Sequence, residues 1–125
     1  MNLIDSVIKK INNSYYAEFS GYSIELPERM HKAIKNYENK EVIFGIRPEN
    51  MSVSNIKDEN TIKLHVDIAE MTGADNFLYG HLGDKKIIAN VSSNQNIESE
   101  KDYLLKLDIY RIHIFDKINE RLICD

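Results

Sequence analysis

Val42, Phe44 and Ile46 alternate with other side chains, and Pro48 stops the run. Alternation of this kind fills one face of a strand. Proline cannot donate to a ladder and holds Arg47 extended, so a strand must end there. Gly45 lies within the strand, where a glycine usually marks a bulge or a close backbone approach. Arg47 and Glu49 flank the stiff corner, placed to pair with each other or with a neighbour.

The same period of two returns along the chain. Tyr15, Ala17 and Phe19 alternate, then Tyr22, Ile24 and Leu26, with Ser20-Gly21 between them. Two alternating runs joined by a two-residue link containing glycine predict a β-hairpin. Ile62, Leu64, Val66 and Ile68 alternate with Lys63, His65 and Asp67, which predicts a half-buried strand with all four apolar side chains inward. Glu70, Gly73 and Asp75 form a turn centred on the glycine, residues 77–82 the next strand, Gly83-Asp84 a hairpin turn, and residues 85–91 the return strand. Tyr103, Leu105, Leu107 and Ile109 alternate again. Ile112, Ile114 and Phe115 make a last apolar segment before Asp116, and Leu122-Ile123 a short final strand.

Between these runs, Met30, Ala33, Ile34 and Tyr37 fall at helical spacing and predict one short amphipathic helix after Pro27. Residues 52–60 and 92–101 read as polar loops. Residues 3–11 fit a helix or a strand equally well. Many short strands, one helix and no repeat predict an all-β fold of OB-type barrels. The 125 residues suit one compact domain, with room for two sub-barrels.

Composition removes several functions. The net charge is −4, so the phosphate neutralisation on which general nucleic-acid binding relies is missing. The tyrosines of residues 15–22 therefore read as cross-strand packing, not as a stacking platform for bases. The one cysteine, Cys124, cannot form an internal disulfide and suits a reducing compartment. No apolar run is long enough for a membrane helix, and the first residues lack the build of a signal peptide. No glycine precedes a Lys-Ser or Lys-Thr pair, so there is no P-loop and no expectation of ATP hydrolysis or of a nucleotide or metal cofactor in this chain.

Other chemistry is thinly represented. His65 and Asp67 share a strand face, and His113 and Asp116 lie close in sequence, but a closed zinc site needs four ligands, so solvated side chains are the preferred reading. Cys124, at the chain end, lacks the ordered electropositive pocket of a catalytic thiol. Glu98 and Glu100 read as a solvated pair. An anion pocket would have to draw on Arg47, Lys63 and Arg111.

Four segments carry a family resemblance. Gly45-Ile46-Arg47-Pro48-Glu49 is similar to the G-I-R-P-E signature in the C-terminal regulatory domain of sugar-importer ABC ATPases of the maltose-importer type. Glu70-x-x-Gly73-x-Asp75 resembles that family's E-x-x-G-x-E/D turn. Arg111-x-His113-x-Phe115-Asp116 resembles its R-x-H-x-F-D segment. Met1-Asn2-Leu3 resembles the P-x-M-N-F junction that follows the ATPase domain, and the chain is expected to begin at that junction. The four are collinear. Two positions depart: Asn50 stands where the family often has histidine, and Asn119 where a turn glycine is usual, a turn asparagine can keep because it tolerates the left-handed conformation.

The resemblance implies a transport-associated OB (TOBE) domain, non-catalytic by itself, in a cytoplasmic subunit at the inner face of the membrane. It implies an attached ATPase domain holding ATP and Mg, permease subunits as partners, and a second copy of the domain paired across a two-fold axis. Arg47, Glu49, Glu70, Gly73 and Asp75 become candidates for regulatory or interface contacts. Gly45, Pro48, His113, Phe115 and Asp116 are expected to be structural.

Overall fold

The computed structural model describes residues 1–92 and 96–125. The chain divides into two compact units. The first contains Met1, Leu3–Ile46 and Ile109–Asp125; the second contains Asn2 and Arg47–Asp108.

The first unit is built on a six-stranded antiparallel sheet. Its strands are β1 (Asn2–Ile11), β2 (Ser14–Phe19), β3 (Tyr22–Glu25), β4 (Glu41–Ile46), β10 (His113–Asp116) and β11 (Leu122–Cys124), in the order β11-β10-β4-β1-β2-β3. The β2–β3 hairpin forms as the alternation predicts. Ser20 and Gly21 both have positive φ, 50° and 83°, which matches the twist of a two-residue turn to that of the strands. The predicted helix is α1 (His31–Ile34), continued on both sides by 3-10 turns at Glu28–Met30 and Lys35–Tyr37. Its Met30 and Ile34 are fully buried, with Phe44, Phe19, Ile24 and Leu26 in the same core.

Residues 3–11, read as helix or strand alike, belong to the strand β1, which begins at Asn2. Its buried positions are Asn2, Ile4, Ser6 and Ile8, so two of the four inward side chains are polar and the apolar alternation is masked. The Ser6 hydroxyl donates to the Ile4 carbonyl, which makes its burial tolerable.

Gly45 is buried in β4, opposite His113. A Cβ there would stand 2.7 Å from the Met1 sulfur and 2.9 Å from the Phe115 ring edge. Met1 is half exposed and can swing away, whereas the ring must shift. Gly45→Val is therefore expected to cost on the order of 2 kcal/mol, read as a lower denaturant midpoint. An unchanged midpoint would mean that Phe115 yields freely.

The second unit is a five-stranded antiparallel sheet. It contains β5 (Met51–Val53), β6 (Thr61–Thr72), β7 (Asp75–Leu82), β8 (Lys85–Ser92) and β9 (Lys101–Leu107), in the order β5-β9-β6-β7-β8. β5 corrects the reading of residues 52–60 as loop throughout: Ser52 and Val53 pair with Lys106 and Leu105. Of the predicted polar loop 92–101, residues 93–95 lie outside the described residues, Ser92 ends β8 and Lys101 opens β9. The predicted turns at Gly73 and Gly83 form, and both glycines take φ of 63° there; the first is tighter than Glu70 to Asp75, because Glu70, Met71 and Thr72 already pair with β7.

A bulge interrupts β6. Val66 pairs with Gly80, and the next paired residue, Ile68, faces Tyr79. The extra residue reverses the alternation. Ile62, Leu64 and Val66 are buried as expected, but Ile68 is turned outward and is 59% exposed. Asn2 is tied to this unit by its side chain: its amide nitrogen donates to the Ile88 carbonyl and its amide oxygen accepts from the Ile88 N–H, each at 2.8 Å.

Candidate functional site

The sequence-predicted residues fall in three places. At the corner after β4, Arg47 is extended and exposed, and Pro48–Asn50 forms a 3-10 turn closed by the Asn50 N–H on the Arg47 carbonyl. Among the described residues no ion pair joins Arg47 to Glu49, which is also exposed. Pro48 therefore acts as a strand stop. Asn50, in the position where histidine is usual, accepts from the Asp108 N–H through its carbonyl, a backbone role that any side chain permits.

Glu70, Gly73 and Asp75 lie at the β6–β7 hairpin tip, all exposed. Glu70 stands opposite Phe77, and Thr72 opposite Asp75. Their side chains are not gathered around a common point by any hydrogen bond or ion pair among the described residues.

The third place is the turn after β10, in the first unit. The Tyr37 hydroxyl donates to Asp116 Oδ2 at 2.9 Å, and the Ile118 and Asn119 N–H groups donate to its Oδ1 at 2.8 and 3.1 Å. The left-handed residue of this turn is Glu120, with φ 60°, and not Asn119 as the sequence suggested. Asn119 instead accepts the Arg121 N–H on its side-chain oxygen, an Asx turn. His113, one face away, lies 3.8 Å from the Asp125 carboxylate.

The Asn119 N–H first, then the Tyr37 hydroxyl and the Ile118 N–H, hold the Asp116 carboxyl below its ordinary value of 3.8. The same contact pushes the Tyr37 hydroxyl upward. A carboxylate lowered on folding stabilises the fold above its unfolded pKa, and that contribution disappears as pH falls through the folded value. Asp116→Asn can still accept the Ile118 and Asn119 N–H groups on its amide oxygen, loses the acceptor for the Tyr37 hydroxyl and no longer titrates. Its denaturant midpoint should fall less steeply than that of the parent from about pH 5 to about pH 2. Parallel curves would remove Asp116 from the acid response.

The outward face of the five-stranded sheet gathers more groups than the sequence suggested. Lys63 Nζ lies 3.5 Å from Asp102 Oδ2, and Asp102 Oδ1 accepts from His65 Nδ1 at 2.7 Å. His65 Nε2 lies 3.7 Å from Asp67 Oδ1, and Asp67 Oδ2 accepts from His81 Nδ1 at 2.9 Å. The two imidazoles face each other across β6 and β7 with ring centres 5.1 Å apart. The His65 hydrogen bond is the main reason that the Asp102 carboxyl is held below its ordinary range. The shared face of His65 and Asp67 was legible in the sequence. His81 and Asp102 were not, because only register brings them alongside.

Next to this charged row runs an apolar one. Ile68, Tyr79 and Ile88 are cross-strand neighbours on β6, β7 and β8, and they are 59%, 37% and 39% exposed. The bulge puts Ile68 into that row.

Lys63 has its charge matched by Asp102 and is not a free anion ligand. Cys124 is half-buried, and burial pushes its thiol up to about 11, which leaves little thiolate at neutral pH. Glu98 pairs with Lys101, and Glu100 turns the chain with φ 62°. No helix among the described residues is long and apolar enough to cross a membrane.

Comparison with known proteins gives these features a family. The pattern described as the MalK OB fold domain matches residues 1–51, and the TOBE domain matches residues 44–115. The sn-glycerol-3-phosphate import ATP-binding protein UgpC of Salmonella typhi is 31% identical over 120 residues, 93% of this chain and 31% of that protein. The oligosaccharides import ATP-binding protein MsmX of Bacillus subtilis (strain 168) is 31% identical over 104 residues, 78% of this chain and 28% of that protein. The chain thus spans about a third of the length of these relatives. Among solved structures, the cytoplasmic molybdate-binding protein ModG, with molybdate bound, superposes with a TM-score of 0.67. That match covers 90% of this chain and 94% of the other at 9% identity, a likeness of fold alone. The all-β, OB-like fold and the resemblance first seen in four short segments both stand: the chain belongs to the TOBE-domain family, with its matched relatives among import ATP-binding proteins.

Proposed function

We propose that this chain is the regulatory and pairing module of the ATP-binding subunit of an ABC importer for sugars or similar solutes. The observation that carries the reading is the TOBE match together with its import ATP-binding relatives. In this reading the module is joined to an ATPase domain that binds ATP and Mg and docks on permease subunits at the inner face of the membrane. It does no chemistry itself.

The pairing half of the reading draws on the row Ile68, Tyr79 and Ile88. Inner neighbours such as Ile87 and Ala89 are fully buried, so the outer side chains are surplus to the core. An exposed apolar row within a sheet is the kind of surface that a partner covers. A two-fold axis would bring the same row in twice, the commonest arrangement of homodimers. The affinity of the isolated module is modest, because an attached ATPase domain would raise the effective concentration of one copy near the other. Sedimentation across a concentration series should show monomer and dimer in exchange, with Ile68→Glu shifting the balance to monomer. A protein that stays monomeric at high concentration, or an Ile68→Glu variant that associates unchanged, defeats the pairing role.

A further inference from the structure

We infer that two copies of this chain pair face to face through their five-stranded sheets in one orientation, fixed by Lys86 of each copy set against Glu70 of the other. The inference rests on the pairing reading above and names the contacts that decide its geometry.

The register lays out the outward face. Ile68, Tyr79 and Ile88 form one row across β6, β7 and β8. The next row towards the Gly83 turn holds His65, His81 and Lys86. The next row towards the Gly73 turn holds Glu70, Phe77 and Asn90. Phe77 is half-buried and widens the apolar row. Lys86 and Glu70 therefore stand at opposite corners of the patch, with Tyr79 at its centre. Both are exposed, and among the described residues neither joins an ion pair. Strands lie about 4.8 Å apart and same-face residues about 6.8 Å apart along a strand, which puts the two roughly 16 Å from each other, too far to meet within one chain.

The placement of charge selects among the face-to-face arrangements. The two-fold axis of such a pair lies in the plane of contact, and each copy offers the same patch. An axis along the strands sets Glu70 against Asn90. An axis across them sets Lys86 against Asn90 and Glu70 towards His65 and Asp67. An axis along the diagonal from Lys86 to Glu70 sets like charge on like. The other diagonal, from His65 to Asn90, brings Lys86 over Glu70 twice and Tyr79 over Tyr79. The two sheets then cross steeply, as in the orthogonal class of sheet packing. The carboxylate nearest that axis, Asp67, is already held by the His81 imidazole. Matched charges bordering an apolar patch set orientation more than affinity. The like charges of the competing diagonal work against it.

The test is sedimentation across a concentration series, with each variant alone and with the two mixed. Lys86→Glu and Glu70→Lys should each weaken self-association about tenfold or more, because either change puts two like-charged pairs into the contact. An equal mixture of the two variants should associate as tightly as the parent, since each then offers the other the opposite charge at both corners. Lys57→Glu, in an exposed loop, should change nothing. In the unaltered protein, a zero-length carbodiimide cross-link should join Lys86 to Glu70 between an isotope-labelled and an unlabelled chain, a readout that needs no variant to fold. A parent that stays monomeric at high concentration removes the pairing reading and this inference with it. A parent that associates while the mixed variants associate no better than either alone, or without a Lys86–Glu70 link between chains, overturns this inference and leaves the pairing reading standing.

Discussion

Gly80→Ala should cost about 3 kcal/mol, the upper end of the overpacking range, and lower the melting temperature of the second unit by about 10 °C or more. A Cβ at Gly80 would lie 2.2 Å from the His65 carbonyl oxygen and 3.1 Å from both its carbonyl carbon and Leu64 Cγ. The first obstacle is backbone, so no rotamer change relieves it. The contact arises because the β6 bulge brings two residues, Val66 and Asp67, against one on β7. Only a residue without a side chain lets the strands close at that point. Gly83→Ala differs in kind: nothing lies within 4 Å of its Cβ, and its cost comes from φ of 63° alone. Hydrogen exchange resolved by residue would read the two units separately. A Gly80→Ala protein within about 0.5 kcal/mol of the parent, the span of ordinary surface substitutions, would show that the bulge can move.

Phe44→Ala should destabilise the first unit by about 3–5 kcal/mol, the range for removing a buried aromatic. Phe44 has no exposed surface and its ring centre lies 5.1 Å from that of Phe19. Truncation leaves a cavity beside Phe19 in a core that neighbouring buried side chains must then close. Phe44→Leu should recover much of the loss, since it keeps most of the volume. The measurement is the denaturant midpoint of the first unit. A loss below about 1 kcal/mol would mean that the core collapses onto the gap.

Where local rules acted alone, the sequence was a good guide. The β2–β3 hairpin, the strand ending before Pro48 and the turns at Gly73 and Gly83 all follow from short-range alternation and turn chemistry. The helix at Met30 to Tyr37 emerged from its spacing, although it is half 3-10. What could not be read depends on long-range pairing. β1 was ambiguous because Asn2 and Ser6 face inward; Ser6 is satisfied locally by the Ile4 carbonyl, but Asn2 is satisfied by Ile88, which the local sequence does not name. β5 is held by β9, more than fifty positions away. Ile68 continues an unbroken alternation in the sequence, and only Gly80 on the facing strand reveals that a bulge reverses it. The histidine cluster was half visible: His65-x-Asp67 is a local pattern, whereas His81 and Asp102 arrive by register.

Asn2 carries a further consequence. β8 is the last strand of its sheet, and a last strand offers a row of unmatched N–H and C=O groups to any passing chain. At Ile88 that offer is already taken, since one side-chain amide presents a donor and an acceptor at the spacing of a neighbouring strand. A single asparagine thus serves as a one-residue counterfeit strand. It blocks strand-by-strand growth of the sheet where the edge also bears the partly exposed Ile88, and so favours solubility over fibril-like stacking.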